Sequence, residues 1–239
     1  MLTLAFETSA KAASVALLDG EKLLGESYQN TGLTHSQTLM VMAEDLLKAC
    51  GYTPQQVQAV AVAAGPGSFT GVRIGVAAAK GFAWGLEIPC HGVSTLEAMA
   101  LNLGIYDGYV VAAMDARRNQ VYTATFRAEE GRLTRLCDDR AISLAELGED
   151  IKNSEKPVFL VGDGSFVCYN ALKDTVPQLI LPPEHRMHQR AAGVGLAAAK
   201  LIAAGEEGSG AALTPNYLRL SQAERERMER MNQNKEIER

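Results

Sequence analysis

A glycine-rich turn that carries two hydroxyl residues is the part of this sequence whose residue types could support chemistry. Gly67, Ser68 and Thr70 lie in the run 65–71, GPGSFTG, between an apolar strand predicted over 58–64 and a helix predicted over 70–87. The free N–H groups of a helix N-terminus can bind a phosphate, and Ser68 or Thr70 can instead cap the helix. The run lacks both the Gly-Lys-Ser/Thr ending of a P-loop and the G-x-G-x-x-G spacing. A weak phosphate site and a purely structural turn therefore both remain open.

The helix that follows contains glycines at 75, 81 and 85. Each interior glycine costs about 1 kcal/mol relative to alanine, so close packing of another backbone must offset that cost. The preceding helix, predicted over 36–50, has an apolar band wide enough for contacts on two sides. We predict that the two helices form a partner-binding patch; the alternative is that the same residues face the protein's own sheet. The predicted patch consists of Leu39, Met42, Leu46, Val72, Gly75, Val76 and Ala79.

The sequence offers no set of residues for catalysis or for metal binding. His185 and His188 follow two prolines without a cluster of carboxylates, and His35 and His91 are isolated. No Ser/His/Asp arrangement and no Cys/His pair is evident. The four cysteines form no CxxC pair, which argues against disulfides and a zinc site. We predict no catalytic residue, no metal and no cofactor, apart from weak ATP or ADP binding at a partner interface.

Composition places the chain among globular proteins rather than free-standing nucleic-acid binders. It has 239 residues and a formal net charge of −5, with a pI near 5.5. A protein that binds nucleic acid by itself normally carries a basic patch. No apolar run reaches the length of a membrane span, and the N-terminus starts directly in strand-like sequence. We expect a cytoplasmic protein with reduced cysteines, without a signal peptide and without membrane contact.

A pattern of strands occurs twice along the chain. Three strands interrupted by an acid and a glycine turn begin near Leu2, with the acid at Glu7, and again near Tyr109, with the acid at Asp115. Each triplet is followed by alternating helices and strands, which predicts a two-lobed α/β protein with duplicated mixed sheets. We expect an N-terminal lobe over 1–105, a C-terminal lobe over 106–220, and a polar helical or disordered tail over 221–239.

This layout resembles the actin-like ATPase superfamily, which includes acetate kinase, hsp70 and actin. In that superfamily an acid and hydroxyls at the end of the first strand approach the phosphate. The resemblance therefore points to Glu7, with Thr8 and Ser9 joining Gly67, Ser68 and Thr70 as candidate, weak phosphate-binding residues.

Several segments carry a more specific resemblance. They are the run 65–75, Gly92-Val93-Ser94-Thr95-Leu96, Asp115-Ala116-Arg117 with Val121-Tyr122, and Pro215-x-Tyr217-Leu218-Arg219. Together they resemble the TsaB (YeaZ) family over nearly the whole chain. The resemblance implies a non-catalytic scaffold that pairs with the catalytic paralogue TsaD, and with the ATPase TsaE, to form N6-threonylcarbamoyladenosine in tRNA at the adenosine 3′ of the anticodon. We expect tRNA contact only through the complex, and a homodimer when the paralogue is absent.

The metal ligands of the paralogue give a second test of this interpretation. TsaD binds its metal through an H-x-x-x-H helix, and the same register here gives Thr95 and Met99. Thr and Met are poor ligands for a hard metal. The remaining alternative is a nucleotide-hydrolysing or phosphotransferring enzyme of the actin-like superfamily. Such enzymes usually have Asp where this chain has Glu7, and Gly162-Asp163-Gly164 is the single further candidate loop for phosphate.

Overall fold

The computed structural model describes residues 1–104 and 106–219, and its first five strands form one mixed sheet. The strands are β1 (Leu2–Glu7), β2 (Ala13–Asp19), β3 (Lys22–Gln29), β4 (Ala59–Ala63) and β5 (Cys90–Val93). Their order across the sheet is β3-β2-β1-β4-β5. The pairs β1–β2 and β2–β3 are antiparallel, whereas β1–β4 and β4–β5 are parallel. Every residue of β1 and β4 is buried, as expected for central strands covered on both faces.

The second sheet repeats this topology. Its strands are β6 (Gly108–Asp115), β7 (Gln120–Glu129), β8 (Arg132–Arg135), β9 (Arg140–Ser143), β10 (Val158–Val161) and β11 (Leu179–Ile180). The order β8-β7-β6-β10-β11 corresponds to β3-β2-β1-β4-β5 of the first sheet, with the first two pairs antiparallel and the last two parallel, and β9 pairs separately with β7. The predicted duplication is therefore confirmed at the level of strand order and direction.

Within residues 1–104 and 106–219, six α-helices cover the two sheets. They are α1 (His35–Ala49), α2 (Phe69–Leu86), α3 (Thr95–Leu103), α4 (Leu144–Ile151), α5 (Ser165–Leu172) and α6 (Ala191–Ala203). Helices α1 and α2 pack on one face of the first sheet and α6 packs on the other. Helix α3 lies between α6 and the second sheet, whose opposite face is covered by α4 and α5. Among the described residues, no helix has the length and apolar character needed to cross a membrane.

The position of α6 differs from the predicted division of the chain. The sequence places it in the lobe over 106–220, but Val194 and Ala198 pack with Ala5, Ala16 and other residues of the first sheet. The second sheet is thus formed by residues between α3 and α6, and the chain returns to the first sheet at its end. The tail predicted over 221–239 lies outside the described residues.

Candidate functional site

The Gly-Pro-Gly turn packs directly on the end of β1. The Ser68 N–H donates to the Ser9 carbonyl at 2.7 Å, and the Thr8 hydroxyl donates to the Gly71 carbonyl at 2.7 Å. A Cβ at Gly67 would lie 2.6 Å from the Ser9 carbonyl oxygen. Real Cβ atoms do not approach an oxygen so closely, so this turn requires glycine in order to reach the first strand.

These contacts use several of the polar groups that a phosphate would need. Thr8 and Ser9 are buried, and the N–H groups of Ser68, Gly71 and Val72 all have partners within the turn or in β1. The five candidate phosphate-binding residues, which also include the half-buried Gly67 and the exposed Thr70, are therefore brought together. Because three donors at the start of α2 are already satisfied, the geometry supports the structural interpretation of the turn.

Glu7 occupies the end of β1 with no exposed surface. Its Oε1 accepts the Ser9 N–H at 2.5 Å, while Oε2 has no partner among the described residues. Burial raises the pKa of Glu7 to about 7, and the charge of Asp163 adds to the increase. Glu7 is thus a buried carboxyl group whose protonation state changes near neutral pH.

The two positions in the register expected for metal ligands lie inside the protein. Thr95 and Met99 on α3 are both buried, and Met99 packs in the core of the second sheet. Within residues 1–104 and 106–219 there is no group of three His, Cys, Asp or Glu side chains that could hold an ion.

The residues predicted to bind a partner require correction. All seven are buried in the chain's own core, on the faces of α1 and α2 that cover the first sheet. A Cβ at Gly75 would lie 2.3 Å from the Thr8 hydroxyl and 3.4 Å from Val62. The alternative, that these residues face the protein's own sheet, describes the structure. The cost of Gly71 and Gly75 is offset by close packing on β1, not by another chain.

The outer face of α2 shows a different pattern. Ala77, Gly81 and Gly85 are spaced four residues apart and are exposed, and no atom lies within 4 Å of a Cβ built at either glycine. Trp84, in the same stripe, is 85% exposed. We call these four residues the outer α2 stripe. Nothing within the described chain offsets the helical cost of its two glycines.

An apolar groove of about 600 Å³ lies beside this helix. Its lining includes Met40, Val41 and Glu44 from α1 and Phe82 from α2. Met40 and Val41 are 43% and 56% exposed. The sequence indicates that α1 has a wide apolar band, but it does not show which side of that band remains open.

The last described segment connects the two sheets, and we call residues 213–219 the strap. Lys80 Nζ donates to the Leu213 carbonyl at 3.0 Å, and the Asn216 N–H donates to the Ala64 carbonyl at 2.6 Å. Arg219 Nη1 then donates to the Ala116 carbonyl, at the end of β6, at 2.9 Å. The sequence marks Pro215-x-Tyr217-Leu218-Arg219 as a motif but does not predict that it bridges both lobes.

The sequence of this chain matches one family model and is similar to several known proteins. The family model described as "TsaD: tRNA N6-adenosine threonylcarbamoyltransferase" matches residues 29–227. The chain is 34% identical over 225 residues to the tRNA threonylcarbamoyladenosine biosynthesis protein TsaB of Bacillus subtilis, covering 94% of this chain and 96% of that protein. It is 39% identical over 132 residues to the Escherichia coli TsaB, covering 54% of this chain and 57% of that protein.

Solved structures agree with the fold. YeaZ from Pseudomonas aeruginosa superposes with a TM-score of 0.72 at 28% identity, covering 91% of this chain and 99% of that one. A structure described as an uncharacterized protein with similarity to peptidase YEAZ from Pseudomonas aeruginosa gives 0.76 at 27% identity, with the same coverage of both chains. The ethanolamine utilization protein EutJ from Carboxydothermus hydrogenoformans shares the fold alone, with a TM-score of 0.52 at 14% identity over 82% of this chain and 90% of that one. The predicted actin-like α/β fold is confirmed.

Proposed function

Because this chain belongs to the TsaB (YeaZ) family, within the wider family that the TsaD model describes, we propose that it is a non-catalytic subunit in tRNA threonylcarbamoyladenosine biosynthesis. Its partner is a TsaD-like paralogue, which carries out the transfer to the adenosine 3′ of the anticodon. A TsaE-like ATPase joins the pair. The work takes place in the cytoplasm, where the tRNA substrate is modified, and the tRNA is bound by the assembled complex.

The outer α2 stripe is the observation that carries this proposal. Its two exposed glycines cost about 2 kcal/mol relative to alanine and pack against nothing in the described chain. Small residues four apart allow a second helix to approach closely. Trp84 beside them supplies a large side chain of the type enriched where interface energy concentrates. The partner helix therefore lies along Ala77, Gly81 and Gly85.

The groove between α1 and α2 extends this surface. Met40, Val41 and Phe82 give it an apolar lining, and exposed apolar patches of this kind mark interaction sites. The partner is a paralogue, so its equivalent two helices fit in a nearly isologous arrangement about a pseudo-two-fold axis. The same surface pairs with a second copy of this chain when the paralogue is absent. The homodimer and the heterodimer therefore compete for one face.

The environment of Glu7 supports a subunit without its own phosphoryl-transfer site. The carboxyl group is buried, and Ser9 and Ser68 accept the N–H groups of Ser68, Gly71 and Val72 at the glycine turn. We propose that the isolated chain hydrolyses no ATP. Incubation of the purified chain with ATP and Mg²⁺ checks this. ATP hydrolysis that copurifies with the chain and is absent from Glu7→Gln would support the enzyme alternative instead.

A charge placed in the outer α2 stripe tests the interface. Gly81→Glu introduces a carboxylate where a Cβ meets open space, so the isolated chain keeps its melting temperature within a few degrees. The affinity of this variant for the paralogue from the same organism should fall at least tenfold. Size-exclusion chromatography with light scattering measures the assembly. The matched control is Asn170→Glu, an exposed position on α5 in the other lobe, which assembles normally.

Two results would overturn the proposed interface. One is a Gly81→Glu chain that folds and binds the paralogue as tightly as the wild type. The other is equal loss of assembly in Gly81→Glu and Asn170→Glu, because a general charge effect would then explain both.

A further inference from the structure

The strap brings together arginines from three separate parts of the sequence. Arg73 on α2 donates from Nε to the Tyr217 hydroxyl at 2.8 Å, and Arg219 lies two residues after Tyr217. Two residues span at most about 7 Å of extended chain, so the Cα atoms of Tyr217 and Arg219 are close neighbours. Arg219 in turn contacts the carbonyl of Ala116, the residue before Arg117 and Arg118. We call Arg73, Arg117, Arg118 and Arg219 the arginine cluster.

The arginine cluster lies unpaired on an acidic protein. The chain carries a formal net charge of −5. Other arginines, such as Arg127 and Arg190, form salt bridges with glutamates. No member of the cluster has a carboxylate partner among residues 1–104 and 106–219. Four guanidinium groups without an ion-pair partner outnumber the Asp115 carboxylate that shares the turn with Arg117, so this junction is more cationic than the overall charge predicts.

Aromatic side chains fix the orientation of Arg73. Its guanidinium carbon lies 3.9 Å from the centre of the Phe69 ring, and that ring stacks on Tyr217 with centres 4.5 Å apart. Only Nε is used in a hydrogen bond, so both terminal nitrogens of Arg73 are without partners among the described residues. A planar fork held in this way suits the bidentate binding of a phosphate oxygen pair. Tyr217 remains 38% exposed beside it.

The backbone after β6 presents the other two arginines to solvent. Arg117, Arg118 and Asn119 all have positive φ angles, of 62°, 56° and 57°. L-residues rarely adopt this conformation three times in succession, and such strain concentrates at functional positions. The Arg117 N–H is held by the Asp115 carboxylate at 2.7 Å, and both arginine side chains are exposed. The turn is thus stabilised through its backbone while its charged side chains remain available.

We propose that the arginine cluster and Tyr217 form a surface that binds RNA directly, namely a strand of the tRNA that the complex modifies. The proposal rests on the proposed function and adds to it a contact made by this chain itself. The guanidinium groups neutralise successive phosphates, and the exposed side of Tyr217 offers a stacking position for an unpaired base. A polyanion fits better than a single phosphate group, because the four arginines are spread over two lobes and an open surface.

A double charge reversal tests this surface. Arg117→Glu with Arg118→Glu is compared with Arg132→Glu with Lys173→Glu, which makes the same change of charge at exposed positions on β8 and after α5. The complex with the TsaD-like paralogue is titrated with fluorescein-labelled tRNA at several salt concentrations. We expect the first double variant to raise the dissociation constant at least tenfold and to reduce the slope of log K against log salt by about two. The control changes the dissociation constant less than twofold.

Assembly is measured first by size-exclusion chromatography, so that the two proposals fail in different ways. If the wild-type chain does not assemble with the paralogue, the proposed function fails, and the titration is run on the chain alone, where the same loss of tRNA affinity is expected. Equal tRNA affinity of the first double variant and its control overturns the RNA surface. The proposal is also overturned if the first double variant no longer binds the paralogue but, as a free chain, binds tRNA as tightly as the wild type. The arginines would then bind an acidic protein.

Discussion

Arg190 and Glu26 lie 164 positions apart in the sequence and form an ion pair at the start of α6. Arg190 donates from Nε and Nη2 to Glu26 Oε2 at 2.9 and 2.6 Å. The other oxygen, Oε1, accepts the Ser14 hydroxyl at 3.0 Å and the Ala192 N–H at 3.1 Å. One carboxylate therefore satisfies a free donor at the helix N-terminus and links α6 to β3.

Glu26→Gln should destabilise the folded chain by about 2–3 kcal/mol, because it leaves the Arg190 charge without its partner. The Glu26 side chain is only 7% exposed, so water cannot replace the lost carboxylate well. Urea unfolding followed by circular dichroism measures the change. Glu184→Gln is the matched control: that side chain is 80% exposed and its removal should change stability by less than about 0.5 kcal/mol. Equal effects of the two substitutions would contradict the role of Glu26.

Two glycines of α2 should respond to alanine with opposite signs. A Cβ at Gly71 would lie 2.1 Å from the Thr8 carbonyl oxygen, so Gly71→Ala forces backbone apart and should cost about 2–3 kcal/mol. Gly81 meets no atom within 4 Å, so Gly81→Ala should stabilise the isolated chain by about 1 kcal/mol through helix propensity. Thermal unfolding of both variants checks the prediction. A loss of stability in Gly81→Ala would show that this position is not open.

The buried Glu7 should make stability depend on pH in a defined direction. Its pKa in the folded chain is about 7, above the ordinary value of 4.5, because burial favours the neutral form. The folded state therefore binds this proton more tightly than the unfolded state. The stabilising contribution is complete below about pH 4.5, declines as the pH rises, and is lost above about pH 7. The loss amounts to about 3 kcal/mol in total.

Glu7→Gln isolates this contribution from all other titrations. The stability of the variant relative to the wild type should increase by up to about 3 kcal/mol between pH 5 and pH 8, since glutamine does not ionise. Unfolding free energies at four pH values in that range are sufficient. A difference between the two proteins that stays constant with pH would refute the assignment.

The four cysteines should separate into two reactivity classes. Burial raises the pKa of Cys90 to about 11 and that of Cys168 to about 12, so neither thiolate is populated at pH 8. Cys50 and Cys137 are half-buried. Ellman's reagent should therefore label at most two thiols per native chain rapidly, and all four after denaturation. If Cys90→Ser and the wild type differ in the number of thiols that are labelled rapidly, the assignment of Cys90 as protected is contradicted.

Local patterns were sufficient to predict the first three strands. The Asp19-Gly20 turn and the alternation on either side of it indicate the first hairpin, and the structure pairs Asp19 with Lys22 across it. The Gly-Pro-Gly turn and Ser68 mark the start of α2, and the Ser68 hydroxyl accepts the Gly71 N–H. Thr34 and Gln37 have the spacing of a capping box before α1, but the Thr34 side chain makes no capping hydrogen bond.

The orientation of α2 could not be predicted in the same way. Alanine and glycine occur on both sides of this helix, so helical periodicity identifies its faces without showing which one packs on the sheet. Gly71 and Gly75 face inward, whereas Gly81 and Gly85 face outward. The packing of α6 on the first sheet involves contacts between residues far apart in the sequence, such as Glu26 and Arg190, which no local pattern reveals.

The return of α6 to the first sheet has a consequence for biosynthesis. Ala5, Ala16 and Ala61 leave the ribosome early, but the helix that covers them is translated only after the entire second sheet. Until then the nascent chain exposes one apolar side of its earliest strands, a state that is prone to aggregation and to capture by chaperones. The first lobe to be synthesised is therefore the last to be completed. A ribosome stalled within residues 106–190 holds a chain in which α6 does not yet cover the first sheet.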